Sequence, residues 1–394
     1  MHIFLTGASG FLGTVLLRDL LLKGHTITAL VRAKFGTDAH SRLREALLDY
    51  DPSFPYDQAM GRTLFVVEGS ATQGNFGLDE KSYSLYAQRS DIILHNVACT
   101  ALETDWSIYE EVNIGGTRKA IEFAFHTRRK ALVYVSSAYV AGARTGLVLE
   151  NELDTSVSFR NSYERSKAMA ENEVRIAASS GNIQTMILRP SIIIGDSQTG
   201  WMCEEHHFFD FIRRLSWILR LIRNRTGSAE ITADHRFRIP GDPRTTKNFI
   251  PVDHVAKLIS ILVETDAAWG KTFHLTHPEP ISLKTLEKYV QKSLYWPELT
   301  WCPKEEIREL SSLERRFLRS IQIYERYFWQ EPSFDQDQLK SVLGANLPEP
   351  DALSQEFVSR MVRFVQNKSI RKEKLRKEIS RSHEAAAIVK PAAS

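Results

Sequence analysis

Gly7, Gly10 and Gly13 punctuate the segment Thr6-Gly7-Ala8-Ser9-Gly10-Phe11-Leu12-Gly13, and what flanks them leaves few folds open. Residues 2–5 are a short apolar run of β character, residues 12–22 have helical spacing closed by Lys23-Gly24, and residues 26–31 are a second apolar run. The spacing predicts strand, glycine turn, helix and strand within about 30 residues, the repeating unit of a parallel doubly wound sheet. Glycines at such a junction let the chain turn sharply and bring backbone N–H groups to a pyrophosphate, where the helix dipole favours negative charge. The turn, with Ser9, Phe11 and Leu12 between its glycines, is therefore read as a nucleotide site. Without the flanking strand and helix it would be only a tight turn.

Further apolar runs at residues 64–67, 92–94, 132–135 and 185–188 alternate with helical segments. The alternation predicts an α/β fold, a Rossmann-type doubly wound parallel sheet covered on both faces, with a smaller C-terminal substrate lobe. Residues 1–190 are expected to form the nucleotide-binding core, with 248–264 returning to it. Residues 32–61 read as an insertion after the second strand, helical around 41–48. Residues 191–247 and 265–365 are expected to form the substrate lobe, partly from an aromatic-rich helix at 208–222 and a long charged one at 305–328.

The 394 residues are 43% hydrophobic and 25% charged, enough to bury a large core. No apolar run approaches the roughly 18 residues of a membrane span; residues 15–22 are interrupted by Arg18 and Asp19. A strand that follows Met1 at once leaves no room for a leader, and three widely separated cysteines fit a reducing cytoplasm, the expected location. The net charge of +3 is uneven: residues 368–394 hold eight Lys/Arg against three Glu, which leaves the rest slightly acidic. Residues 366–394 are expected to be a basic, disordered tail. With no zinc finger and no interleaving of aromatic and basic residues, no nucleic-acid partner is expected.

The end of the second strand bears on which dinucleotide binds. NAD sites place an Asp or Glu there for the ribose 2′-OH, whereas an Arg suits a 2′-phosphate. The sequence runs Leu30-Val31-Arg32-Ala33-Lys34, with no acid, which favours NADPH; the alternative is that Arg32 and Lys34 only solvate the start of the insertion. Tyr163-Glu164-Arg165-Ser166-Lys167 places a phenol and an ammonium at i and i+4, on one helix face. An adjacent cation favours a phenolate and is expected to pull the tyrosine toward the working pH range. Taken alone, this spacing is equally that of a solvated helix face. Ser136-Ser137, after the 132–135 strand, supplies hydroxyls where catalytic groups of an open sheet collect. His206-His207 lack a companion cluster of ligands, so no metal is expected.

Together with the glycine turn, His95-Asn96-Val97-Ala98, Asn113, residues 134–142, Tyr163–Lys167 and Leu188-Arg189-Pro190 resemble the extended short-chain dehydrogenase/reductases over about residues 1–265. The resemblance implies that Ser137 binds a carbonyl, Tyr163 donates a proton, and Lys167 holds the nicotinamide ribose and tunes Tyr163. It further implies that Asn96, Ala98, Asn113 and Pro190 line the cofactor. Ser70 does so where many members carry an adenine-contacting acid. The insertion, with Arg42 in it, and Asn248-Phe249-Ile250-Pro251-Val252-Asp253 resemble the thioester-reductase and fatty-acyl-CoA-reductase branch. That branch implies NADPH-dependent reduction of an acyl thioester on CoA or a carrier protein to an aldehyde, with further reduction to an alcohol left open. Since relatives attach this module to adenylation or carrier domains, this chain is expected to receive its substrate in trans. A ketoreductase or a sugar-nucleotide epimerase or dehydratase would use the same triad. A non-catalytic NADP sensor would keep the glycine turn without the acid-base pair. The arginine-rich helix from 208 is read either as a buried lobe helix or as a docking face for an acidic carrier protein, CoA phosphates or a membrane surface.

Overall fold

The structure is a computed structural model that describes residues 1–34, 36–204, 206–226, 236–295 and 298–370. Seven strands, β1 (His2–Thr6), β2 (Thr26–Val31), β3 (Leu64–Glu68), β4 (Ile92–His95), β5 (Ala131–Val135), β6 (Gln184–Pro190) and β7 (Thr272–Leu275), form one sheet in the order β7-β6-β5-β4-β1-β2-β3. All neighbours are parallel. The strands are short Ile-, Leu- and Val-rich runs, and β4, β5 and β7 are buried along their whole length, as a sheet covered on both faces requires. The chain winds outward from β1 to β3, then returns to β4 on the other side of β1. Between β1 and β4 the winding reverses, and a crevice opens there at the carboxyl ends of the strands.

Helix α1 (Phe11–Leu22) covers one face, and α2 (Ala39–Tyr50) lies beside it, its first turn capped by Asp38, which accepts from the Ser41 N–H at 3.0 Å. Helices α3 (Glu80–Arg89), α4 (Gly116–Phe125) and α5 (Ser162–Ser179) follow in the chain. Phe123 of α4 packs on Phe4 of β1 at 4.3 Å between ring centroids, and Ala170 and Val174 of α5 join that cluster on the second face. The smaller lobe is built from α6 (His207–Thr226), α8 (Leu283–Leu294) and α9 (Ser312–Ile321), with residues 355–370 also helical. Its core joins Phe209 and Ile212 of α6 to Leu286 and Val290 of α8, to Phe317 of α9 and to Phe357 and Met361. Helix α7 (Val252–Leu262) packs instead on α1, with Val255, Ile259 and Leu262 against the Leu16 and Leu20 side of the first core.

The structure departs from the sequence reading in three places. The strand that returns to the main sheet is β7, at 272–275, inside the stretch assigned to the substrate lobe; β7 pairs with β6 from Thr272↔Ile187 to Leu275↔Pro190. Residues 249–251 instead pair with Ile192–Ile194 in a separate two-stranded ladder, and α7 is the part of 248–264 that covers the core. The charged helix of 305–328 is broken: Glu309 is left-handed at φ 50°, and Ser311 and Glu314 form a reciprocal capping box that starts α9 afresh. The basic stretch begins inside a packed helix, because Val365 is buried and Lys368 pairs with Asp49 of α2 at 2.7 Å. Residues 371–394, the rest of that stretch, lie outside the described residues.

Candidate active site

One cleft of about 690 Å³ runs from the carboxyl ends of the strands into the smaller lobe. At its polar end lies the glycine turn. Gly7 is left-handed at φ +75°, and a Cβ there would stand 2.9 Å from the Asn96 backbone at the end of β4. Thr6 ties the same two strand ends, its hydroxyl 2.9 Å from His95 Nδ1 and accepting from the Asn96 N–H at 3.2 Å. The reversal of winding thus becomes a cradle walled by Gly7, Ser9, Gly10, Phe11 and Leu12 on one side and Asn96 and Ala98 on the other. Gly13 does not line the cleft. A Cβ there would fall 1.9 Å from the Gly7 carbonyl oxygen, so its role is to let α1 close against the turn.

Beyond β2, Arg32 and Lys34 line the cleft, and Arg42 of α2 joins them, its Nη1 donating to the Arg32 carbonyl at 2.6 Å. The insertion therefore brings a third cation to the strand end, one that local sequence around β2 does not show. Ser70 also lines this region, its hydroxyl 3.0 Å from that of Thr72. The lining fits a dinucleotide: a turn with room only for glycine hydrogens at its crossing point, and three cations at the end of the second strand.

Asn113 differs from its expected place. It is buried outside the cleft lining, and its side chain accepts from the Cys99 N–H at 2.7 Å and donates to Ser166 Oγ at 2.7 Å. It braces the loop after Ala98 against α5 and does not reach the cofactor groove.

Ser137, Tyr163, Lys167 and Pro190 meet midway along the cleft. Asn161 caps α5 by accepting from the Glu164 N–H at 2.9 Å, which sets Tyr163 in the first turn and Lys167 one turn on. Ser137 caps the short turn after β5, its Oγ accepting from the Tyr139 N–H at 3.2 Å, and it lines the cleft with the Tyr163 phenol. Neighbouring Ser136 donates instead to Glu171 at 2.7 Å, which commits its hydroxyl to the core. The expected pull of Lys167 on Tyr163 is not what the geometry gives. Burial and the Glu164 carboxylate push the phenol above its ordinary value, with Ser137 opposing them. The Lys167 ammonium donates to the Val135 carbonyl at 2.7 Å, and burial lowers it to about 7 against the opposing charge of Glu171. A phenol held protonated suits a donor of protons.

Sequence reasoning missed the framework behind this trio. Arg189, one residue before Pro190, makes paired bonds to Glu171 at 2.6 and 2.9 Å, both side chains fully buried. Arg175 adds a bond to Glu171 at 2.9 Å. Burial alone would raise the Glu171 carboxyl, but Arg189, Arg175 and Ser136 hold it below the usual range. The signal was present in the four-residue steps Tyr163, Lys167, Glu171 and Arg175. A second buried pair, Lys247–Glu331 at 2.6 Å, sits where the cleft enters the smaller lobe, and Tyr139 donates to the same carboxylate.

Past these groups the lining turns apolar, with Phe208, Phe249, Leu286, Val290, Leu299 and Trp301. His206 and His207 line the cleft but serve its walls: His206 packs at a tilt on Phe11, 4.4 Å between ring centroids, and burial lowers it to about 3, while His207 Nε2 lies 2.6 Å from the Thr100 carbonyl. Among the described residues, no group of three or more His, Cys, Asp or Glu is placed to hold a metal, and no helix is long and apolar enough to cross a membrane. The three cysteines are free thiols.

Residues 5–259 match the family model described as male sterility protein. Aldehyde reductase lnbA of Aspergillus flavus is 29% identical over 288 residues, covering 70% of this chain and 26% of that protein. L-2-aminoadipate reductase of Schizosaccharomyces pombe is 26% identical over 275 residues, covering 66% of this chain and 18% of that protein. The chain thus spans about a quarter or less of the length of these relatives. The terminal R domain from the myxalamid PKS-NRPS biosynthetic pathway superposes with a TM-score of 0.76 at 26% identity, covering 93% of this chain and 91% of that one.

Proposed function

Since this chain belongs to the male sterility protein family and is an NAD(P)-dependent oxidoreductase of the extended short-chain dehydrogenase/reductase type, we propose that it reduces an acyl thioester, carried on CoA or a carrier protein, with NADPH. The observation that carries the reading is the position of Ser137, Tyr163 and Lys167 at the junction of a polar, glycine-walled groove and an apolar one within a single cleft. The similar R domain is the terminal one from the myxalamid PKS-NRPS biosynthetic pathway, and an apolar second half suits an acyl group better than the hydroxyls of a nucleotide sugar.

The glycine turn and the Arg32, Lys34 and Arg42 cluster would hold the dinucleotide, with Pro190 beside its reactive end. When bound, the reduced nicotinamide supplies a hydride for the thioester carbonyl carbon. Ser137 and Tyr163 donate hydrogen bonds to the carbonyl oxygen and stabilise the charge that grows there. Tyr163 gives that oxygen its proton, forming a hemithioacetal. Collapse of the hemithioacetal breaks the carbon–sulfur bond and releases an aldehyde and a free thiol. The deciding assay follows loss of reduced-cofactor absorbance with NADPH and then NADH, over a panel of acyl-CoA thioesters and matching aldehydes, with free thiol titrated in parallel. Thioester-dependent oxidation of NADPH with stoichiometric thiol is expected, and Y163F is expected to lose at least 100-fold in turnover while still binding NADPH. Turnover of ketones or aldehydes alone would overturn the thioester reading, and full activity in Y163F would remove Tyr163 from the chemistry.

A further inference from the structure

Outside the cleft, a second cavity of about 380 Å³ lies between residues 304–310 and one face of α9. Its lining divides by chemistry. Ile307, Leu310, Leu318 and Phe328 are apolar, while Lys304, Arg315 and Arg319 bring three cations. Glu325 is the one acid in the wall, and Lys304 takes it at 2.9 Å. Glu305, Glu306 and Glu309 belong to the same segment but do not line the cavity. Arg315 and Arg319 are exposed, stand one helical turn apart on one face of α9, and have no carboxylate partner among the described residues. Like charges at i and i+4 repel and destabilise the helix that carries them, unless an anion lies between them.

Phe328 is the second observation. This residue is buried and forms part of the wall of both cavities, so the cationic one lies back to back with the apolar half of the cleft. A ligand whose anionic end rests on Arg315 and Arg319 and whose body lies on Leu318 and Phe328 is thereby held at the edge of the acyl site.

We propose that the cavity between Lys304 and α9 binds the phosphate of a phosphopantetheine arm, the group that CoA and carrier proteins share, with Arg315 and Arg319 as the phosphate ligands. The proposal rests on the thioester-reductase reading for its choice of ligand. Two arginines one turn apart match the spread of phosphate oxygens, and each offers the planar, bidentate donor set that phosphates favour. The apolar remainder suits the gem-dimethyl part of pantetheine. Arg319 and Arg315 take no part in the Ser137, Tyr163 and Lys167 centre, so their replacement separates arm binding from chemistry.

The test compares the wild type with R315E/R319E, and with R315Q/R319Q should charge reversal impair folding. Calorimetry measures binding of CoA and of 4′-phosphopantetheine, neither carrying an acyl group. Kinetics with one acyl group compare its CoA, phosphopantetheine and N-acetylcysteamine thioesters, the last lacking any phosphate. Wild type is expected to bind both free ligands. The variants are expected to raise Kd and KM about tenfold or more for the phosphate-bearing forms, with N-acetylcysteamine kinetics and NADPH binding unchanged. Equal losses on CoA and 4′-phosphopantetheine assign the shared phosphate; a loss confined to CoA overturns that assignment in favour of its nucleotide phosphates. Wild type that binds neither ligand, or variants with unchanged affinity, overturns the site. Wild type that binds 4′-phosphopantetheine through these arginines yet reduces no thioester leaves the site standing and overturns the reductase reading instead.

Discussion

Replacing Glu171 by Gln tests whether the framework behind the active site is electrostatic. Glu171 and Arg189 are both fully buried and joined by two short bonds, and the Arg189 guanidinium also donates to the Glu152 carbonyl at 2.6 Å and the Glu150 carbonyl at 3.3 Å. Removing one side of a buried pair costs about 3–5 kcal/mol, chiefly because the other charge stays in the interior uncompensated. The two backbone carbonyls still solvate Arg189 in E171Q, which places the loss near the low end, about 3 kcal/mol. Arg175 bonds the same carboxylate from a side chain that is 28% exposed, so R175Q is expected to lose only ~0.2–1 kcal/mol. Urea unfolding separates the cases: with a slope of about 1–3 kcal/mol per molar, E171Q should move the midpoint down by about 1 M or more and R175Q far less. The double variant E171L/R189M exchanges the pair for apolar side chains of similar size and should recover more than half of the loss, since no charge is left stranded. An E171Q protein within about 1 kcal/mol of wild type, or a double variant whose loss is the sum of the singles, would refute the account.

At Gly13, an added methyl would fall 1.9 Å from the Gly7 carbonyl oxygen, so G13A must displace the turn. It is expected to lose about 1–3 kcal/mol of stability and most NADPH affinity, and an unchanged Kd by fluorescence titration would contradict this. R32E places a carboxylate where the structure gathers Arg32, Lys34 and Arg42; NADPH should bind about 10- to 100-fold more weakly with NADH little altered, read from the ratio of the two Kd values. Lys167 is lowered to about 7 from an ordinary value near 10.4, so in the free enzyme its charge is present below about pH 7 and lost above it. NADPH affinity is therefore expected to fall as pH rises through about 7, a limb that K167M abolishes. Between about 7 and 10.4 the unfolded chain binds the proton that the folded one has released, so Lys167 makes stability rise with pH there.

The parallel sheet was legible because its signal is local: each strand is a short apolar run, and the glycine turn fixes the first crossover. β7 was not, since residues 272–275, Thr-Phe-His-Leu, are as short as a loop excursion and are recruited only by pairing with β6. The break in the charged segment followed from a left-handed Glu309 and the reciprocal cap of Ser311 and Glu314, a pattern that a helical reading of the hydrophobic spacing passes over. In the site, the glycine turn and the placing of Tyr163 and Lys167 one turn apart on α5 were legible because both follow from local backbone and spacing. Arg42 and Arg189 were not, because their partners come from elsewhere in the chain: the Arg32 carbonyl, and Glu171 on α5. Asn113 was placed by motif but acts through Cys99 and Ser166, which only the packing of its turn against α5 decides.

The most consequential effect of that packing is on the order in which two protons are held. In water a tyrosine and a lysine release theirs at similar pH, near 10 and 10.4. In this cleft burial drives them apart, Tyr163 upward and Lys167 down to about 7, because removing water penalises a phenolate and an ammonium alike. The charged Lys167 is therefore the stronger acid of the two. In the reduction proposed above, a proton passing from the lysine side back to Tyr163 would therefore run downhill. The same burial threatens to discharge Lys167 altogether, and the carboxylate that opposes it is Glu171, one turn along α5. Arg189, Arg175 and Ser136 keep that carboxylate ionised. The buried ion pair thus opposes the discharge of Lys167 across one turn of α5, and in the proposed reduction that spacing is what would keep a proton available beside Tyr163.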